Sequence, residues 1–97
     1  MTKPTLMVIF KAKAEHVDDV RSHLLAMIDP TRAEPGCESY VLHESTEGDG
    51  VFAFYETWTT QEHWATHMTQ PHLTGLLETL PPMLDGDIQV RHLKIIA

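Results

Sequence analysis

The sequence predicts an α+β fold, a four-stranded antiparallel sheet with helices on one face, in the order β-α-β-β-α-β. Three observations predict it. Two short runs, Leu6–Phe10 and Val51–Tyr55, are apolar at successive positions, as in strands covered on both sides. Two longer segments repeat apolar residues at helical spacing: Val17, Val20, Leu24 and Ile28 in one, Leu73, Leu76, Leu77 and Leu80 in the other. Turn signals, Pro35-Gly36 and Glu47-Gly48-Asp49-Gly50, separate the pieces.

Taken in order, the first strand spans Thr5 to Lys13. A helix follows from Glu15 to about Ile28, with acids in its first turns, and Pro30 fits its end; a further turn to Glu34 stays open. The second strand, Glu38 to Ser45, places Tyr40 and Leu42 on one face and Ser39, Val41 and His43 on the other. A hairpin loop leads into the third strand, Val51 to Trp58. Phe52, Phe54, Glu56 and Trp58 share one face of it, so a carboxylate stands among three large aromatics. Thr59 reads as an N-cap, with Glu62 completing a capping box, and the helix it starts runs to about Thr69. Pro71 opens a second helical piece, which Pro81-Pro82 ends. The last strand runs from Ile88 to Ile96. Its apolar parity shifts between Ile88/Val90 and Leu93/Ile95, which predicts a bulge or a change of environment near His92.

This order is the ferredoxin-like split βαβ arrangement, and residues 1–97 read as a single domain. The sheet face away from the helices is too apolar to stay wet, and the chain has no spare element to cover it. A second copy packed sheet to sheet is the economical answer, so a homodimer is expected.

Net charge is −7, and the seven Lys and Arg residues are scattered singly, which argues against nucleic-acid or anionic-membrane partners. No apolar run approaches the roughly 20 residues of a membrane span. The N-terminal Met-Thr-Lys-Pro stretch lacks signal-peptide shape. Cys37 is the single cysteine, which excludes an internal disulfide and fits a reducing compartment; a cytoplasmic location is expected.

Seven histidines are the unusual feature. His67 and His72 flank the break at Pro71, so their side chains can converge on one cleft. Histidine titrates near neutrality and can take a proton from a phenol. His63 and His67 have metal-binding i,i+4 spacing, but no glutamate follows His63 and no third ligand is evident, so no metal site is expected. Glu56, Trp58 and Phe54 share a strand face that could wall a pocket, and Tyr40 and His43 are available hydrogen-bond donors. Each also has a structural reading: the histidines as helix caps, Glu56 as half of an ion pair, the aromatics as core or interface.

Three segments resemble the antibiotic biosynthesis monooxygenase (ABM) family: Glu34-Pro35-Gly36-Cys37-Glu38-Ser39-Tyr40, Phe54-Tyr55-Glu56-Thr57-Trp58 and His67-Met68-Thr69-Gln70-Pro71-His72-Leu73. The resemblance covers roughly residues 5 to 95. It implies a dimeric α+β barrel with one pocket per subunit between sheet and helices. It implies oxidation of a small quinol or phenolic aromatic by dioxygen without flavin, metal or haem. His67 and His72 would move the proton. Trp58, Phe54 and Leu73 would form walls, and Glu56, Tyr40 and His43 would be polar contacts. The family's diversity keeps two other readings open: an isomerase of a small hydroxy-ketone working through an enediol, as in the relative that processes a phosphorylated autoinducer sugar, and a non-catalytic small-molecule-binding stress domain. Similar haem-degrading sequences carry an axial histidine at a position that falls near Leu77 here, a tryptophan where this chain has His67, and an asparagine in the first strand, where it has none.

Overall fold

Four antiparallel strands form one sheet in the order β2-β3-β1-β4 in the computed structural model, which describes residues 3–97. They are β1 (Thr5–Lys11), β2 (Cys37–Glu44), β3 (Val51–Trp58) and β4 (Gln89–Leu93). Met1 and Thr2, part of the stretch read above for a leader, lie outside the described residues. The helices are α1 (Val17–Leu25), α2 (Ile28–Arg32), α3 (Gln61–His67) and α4 (Pro71–Thr79). The topology is the ferredoxin-like one expected. Among the described residues no helix is long and apolar enough to cross a membrane.

The two faces of the sheet differ as strand alternation requires. Leu6 and Phe10 from β1 and Phe52 and Phe54 from β3 turn inward, in register as Val8↔Phe54 and Phe10↔Phe52. Val20 and Leu24 of α1, Leu73 and Leu76 of α4 and Leu80 just past its end close the core over them. Phe54 sits at its centre, stacked on Tyr40 at 4.4 Å and meeting Phe10 edge-on at 5.9 Å. On the opposite face Val41 and Tyr55 are exposed cross-strand partners, with Met7 and Ile9 half-buried beside them.

Several boundaries differ from those read in the sequence. The first strand ends at Lys11, because Ala12 turns away to bond Gly50 and Lys13 to bond Met83. The single helix expected from Glu15 to Ile28 is three pieces: a 3-10 turn at Ala14–His16, then α1, then α2. Pro30 does not end a helix; it stands in the first turn of α2, where a missing N–H costs nothing. The cap of α3 is Thr60 rather than Thr59: its hydroxyl accepts from His63 N (3.2 Å). Thr59 instead donates its backbone N–H to Gly36 O (2.8 Å) and its hydroxyl to Glu38. The last strand is shorter than Ile88–Ile96 and pairs with β1 without a bulge at His92. Its parity shift is a change of face. Val90 lies on the helix side of the sheet, and Leu93, opposite Thr5, lies on the outer side. The register irregularity in this sheet is in β2, between Cys37 and Ser39.

Gly36 is where a conformational requirement meets a packing one. It has φ of 81°, and a Cβ there would lie 2.6 Å from the Cβ of His63 and overlap its ring. Gly36→Ala is therefore expected to destabilise the fold by at least about 1–3 kcal/mol. Leu24→Ala, which empties a fully buried site, should cost about 2–5 kcal/mol. Urea unfolding monitored by circular dichroism checks both. A Gly36 variant as stable as the parent would contradict the turn geometry.

Candidate active site

The chain between α2 and β2 sets the first side chain of the candidate site. Arg32, at the end of α2, donates to the carbonyl of Tyr40 through Nε (3.1 Å) and Nη2 (2.9 Å), tying the helix to the edge strand. Glu34 N then bonds Thr31 O, and Gly36 O accepts from Thr59 N, so the Glu34-Pro35-Gly36 turn is held at both ends. The second and third side chains come from the break between α3 and α4. Gln70 is extended, Pro71 takes the first helical position of α4, and His72 follows in the first turn. His67 ends α3.

These three side chains meet. Glu34 Oε2 lies 2.8 Å from His67 Nδ1 and 2.8 Å from His72 Nε2. A carboxylate only accepts, so each ring donates an N–H to the same oxygen. The cluster is largely out of water: side-chain exposure is 3% for His67, 9% for Glu34 and 22% for His72. These bonds fix the neutral His67 ring as the Nδ1–H tautomer and leave Nε2 as its basic nitrogen. The same three ligating atoms lie within 4.8 Å of one another, so the set can also hold a metal ion. His63 is not part of it; its Nδ1 is 2.8 Å from the hydroxyl of Thr60.

Beside His67 an apolar cavity of about 200 Å³ lies between the sheet and the α3–α4 pair. Leu6, Val8, Phe10 and Phe54 floor it; Trp64, Leu73, Leu76 and Leu77 roof it. Exposed Met68 and Val90 also line it. Glu56 and His67 supply its charged or titratable wall, with Tyr40 alongside. In the sheet Glu56 stands between Leu6 and Tyr40, and its Oε1 accepts from Trp58 Nε1 at 3.0 Å. Burial pushes the Glu56 carboxyl up, against the lowering effects of the Trp58 hydrogen bond and nearby His67. Burial, and then the Glu56 charge, hold the Tyr40 phenol far above its ordinary range.

The fold therefore gathers most of the residues singled out in the sequence, with three displacements. Phe54, Glu56, Tyr40, Leu73 and His67 line the cavity. Trp58 does not: it is fully buried, 4.6 Å from the His67 ring between centroids, and holds Glu56 in place. His72 does not line it either and is linked to it through Glu34 and then His67. His43, read as a substrate contact, lies on the outer face opposite Ala53, because strand alternation sends it away from Tyr40 and Leu42. Glu34 joins the two histidines although no sequence argument singled it out. The available signal was its place at the head of the first family-like segment, directly before Pro35.

Comparison with known proteins matches residues 5–78 to the family model described as Antibiotic biosynthesis monooxygenase. Rv0793 of Mycobacterium tuberculosis, named as a candidate monooxygenase, is 37% identical over 91 residues, covering 93% of this chain and 89% of that protein. Its solved structure superposes with a TM-score of 0.93 at 28% identity, over 98% of this chain and 96% of that one. PA3566 of Pseudomonas aeruginosa superposes with a TM-score of 0.93 at 25% identity, over 100% and 97%. The Synechocystis protein sll1783 is 28% identical over 85 residues; these are 88% of this chain but only 58% of the length of that relative.

The raised Glu56 carboxyl has a measurable consequence. A group whose folded value is raised binds its proton more tightly in the folded state, so stability falls as pH climbs through that value. Its contribution is fully present below the ordinary glutamate value of about 4.3 and is lost above the raised one. Glu56→Gln keeps an acceptor for Trp58 and removes the titration. The variant should gain stability relative to the parent as pH rises above the ordinary glutamate value of about 4.3 in urea unfolding. A difference independent of pH would show that Glu56 titrates normally.

Proposed function

The chain belongs to the antibiotic biosynthesis monooxygenase family, and from that premise we propose that it oxidises a small quinol or phenolic aromatic with dioxygen. The observation that carries the proposal is an apolar cavity whose titratable wall is a histidine oriented from behind by a carboxylate. A volume of about 200 Å³ suits one or two aromatic rings, since a cavity of about 150 Å³ takes up benzene. Neither lysine nor arginine lines it, which favours a neutral aromatic over the phosphorylated hydroxy-ketone of the isomerase reading.

In the proposed reaction His67 Nε2 accepts the phenolic proton while Glu34 steadies the imidazolium that forms. Proton loss is driven by the base; exclusion of water opposes it but leaves the anion poorly solvated and so a stronger electron donor. The anion gives an electron to dioxygen directly, so substrate stands in for a redox cofactor. For a quinol the balance closes with one oxygen atom inserted into the ring, the other leaving as water, and a hydroxyquinone as product. Four electrons leave the substrate and four enter dioxygen. His72 is a positioning residue here, sharing Glu34 with His67, and Glu56 offers a second polar contact at the same wall.

We also propose that the working form is a homodimer. The outer sheet face presents Met7, Ile9, Val41, Tyr55 and Leu93 with no helix or strand of the described residues over them. A second copy, sheet to sheet, completes the barrel. Light scattering at micromolar concentration should give twice the chain mass of 11.0 kDa; a monodisperse monomer contradicts this part of the proposal.

His67→Ala should lower oxygen-dependent turnover of a hydroquinone by ~10²–10⁴ with the fold intact by circular dichroism. His72→Ala should lose less, because the His67–Glu34 bond survives. Turnover that continues under nitrogen would replace oxygenation with isomerisation, and an active His67 variant would remove the base from the mechanism.

A further inference from the structure

We infer that Glu34, His67 and His72 form a binding site for a divalent first-row transition-metal ion. Local spacing in the sequence points elsewhere, to His63 and His67, but the fold turns His63 to Thr60 and brings in two ligands from other elements. Two imidazoles and one carboxylate are the donor set that suits zinc, cobalt, nickel or iron. Glu34 Oε2 stands 2.8 Å from each ring nitrogen, and all three atoms lie within 4.8 Å of one another. Ligands about 2.1 Å from one ion stand roughly 3.0–3.5 Å apart. Small side-chain movements therefore convert the hydrogen-bonded cluster into a coordination sphere.

Three features favour the site beyond the spacing. Its ligands come from the α2–β2 turn, the end of α3 and the start of α4, each held by backbone bonds, so little ordering remains to be done on binding. His72 is 22% exposed and borders a surface cleft with His23, Met27 and Gly75, which gives an ion access and leaves coordination positions for water. Glu34 supplies negative charge where two nitrogens supply lone pairs.

Coordination changes the tautomers. The ion takes the place of the proton on His67 Nδ1 and on His72 Nε2, and each neutral ring keeps its one proton on the opposite nitrogen. His67 Nε2 then carries a hydrogen and cannot accept one. The ion-bound and base-competent forms of His67 are thus alternatives. The site itself does not depend on the reaction proposed above.

The test is a titration of untagged, chelator-treated protein with Co²⁺, followed by calorimetry and visible absorption, without any turnover assay. The expected result is one ion per chain with a visible ligand-field band. Glu34→Gln and His72→Ala should each weaken binding by at least about tenfold, with folding verified by circular dichroism, and His63→Ala should leave it unchanged. Absence of binding at millimolar Co²⁺ overturns the inference. So does retention of the band in the His72 variant, or loss of it in the His63 variant, since either puts the ion elsewhere.

Discussion

One carboxylate oxygen, Glu34 Oε2, accepting an N–H from each of two histidines is the interaction around which the rest of the site is organised. A carboxylate this far from water is costly unless its charge is matched by donors. Here the donors sit 33 and 38 residues further along the chain, on either side of a helix break. Several local features then acquire a common purpose. Arg32 ties α2 to Tyr40, Gly36 turns the chain under His63, Thr60 starts α3, and Pro71 restarts the helix so that His72 faces back toward His67. Each is ordinary chain chemistry, and together they place three side chains within hydrogen-bond reach.

The Glu34 bond distinguishes the two nitrogens of His67: Nδ1 is held by the carboxylate and Nε2 is not. A cavity with apolar floor and roof lies beside it, and Glu56, raised by burial and held by Trp58, stands at the same wall. Such an arrangement concentrates polarity at one end of an otherwise dry space, which is how a small pocket orients a ligand that carries one polar end. The same donor set bound to a metal ion reverses the tautomer, so the chemistry of the site depends on what Glu34 shares with the rings.

Most of the architecture is legible in the sequence because it follows short-range periodicity. The alternation in β3 puts Phe52, Phe54, Glu56 and Trp58 on one face, and the structure keeps all four there. The break at Pro71 marks His67 and His72 as neighbours in space. Boundaries were less legible where a cap competes with its neighbour: Thr59 and Thr60 carry the same hydroxyl, and the long-range bond from Thr59 to Gly36 decides which one caps α3. Pro30 was ambiguous because proline suits the first turn of a helix as well as the residues beyond its end. Glu34 was hidden for a different reason. Its partners are fixed by tertiary packing, and no local pattern distinguishes an acid that will be buried from one that will be solvated. His43 is the opposite case, since alternation already placed it on the face away from Tyr40.

The tautomer of His67 is the most direct probe of this account. Long-range ¹H–¹⁵N correlation spectra of the imidazole rings, recorded on chelator-treated protein at alkaline pH, distinguish a protonated from an unprotonated nitrogen. The Glu34 bond predicts a protonated Nδ1 and a bare Nε2 for His67. A ring protonated at Nε2 with Nδ1 bare, in metal-free protein, would contradict the Glu34 interaction and with it the orientation of the base.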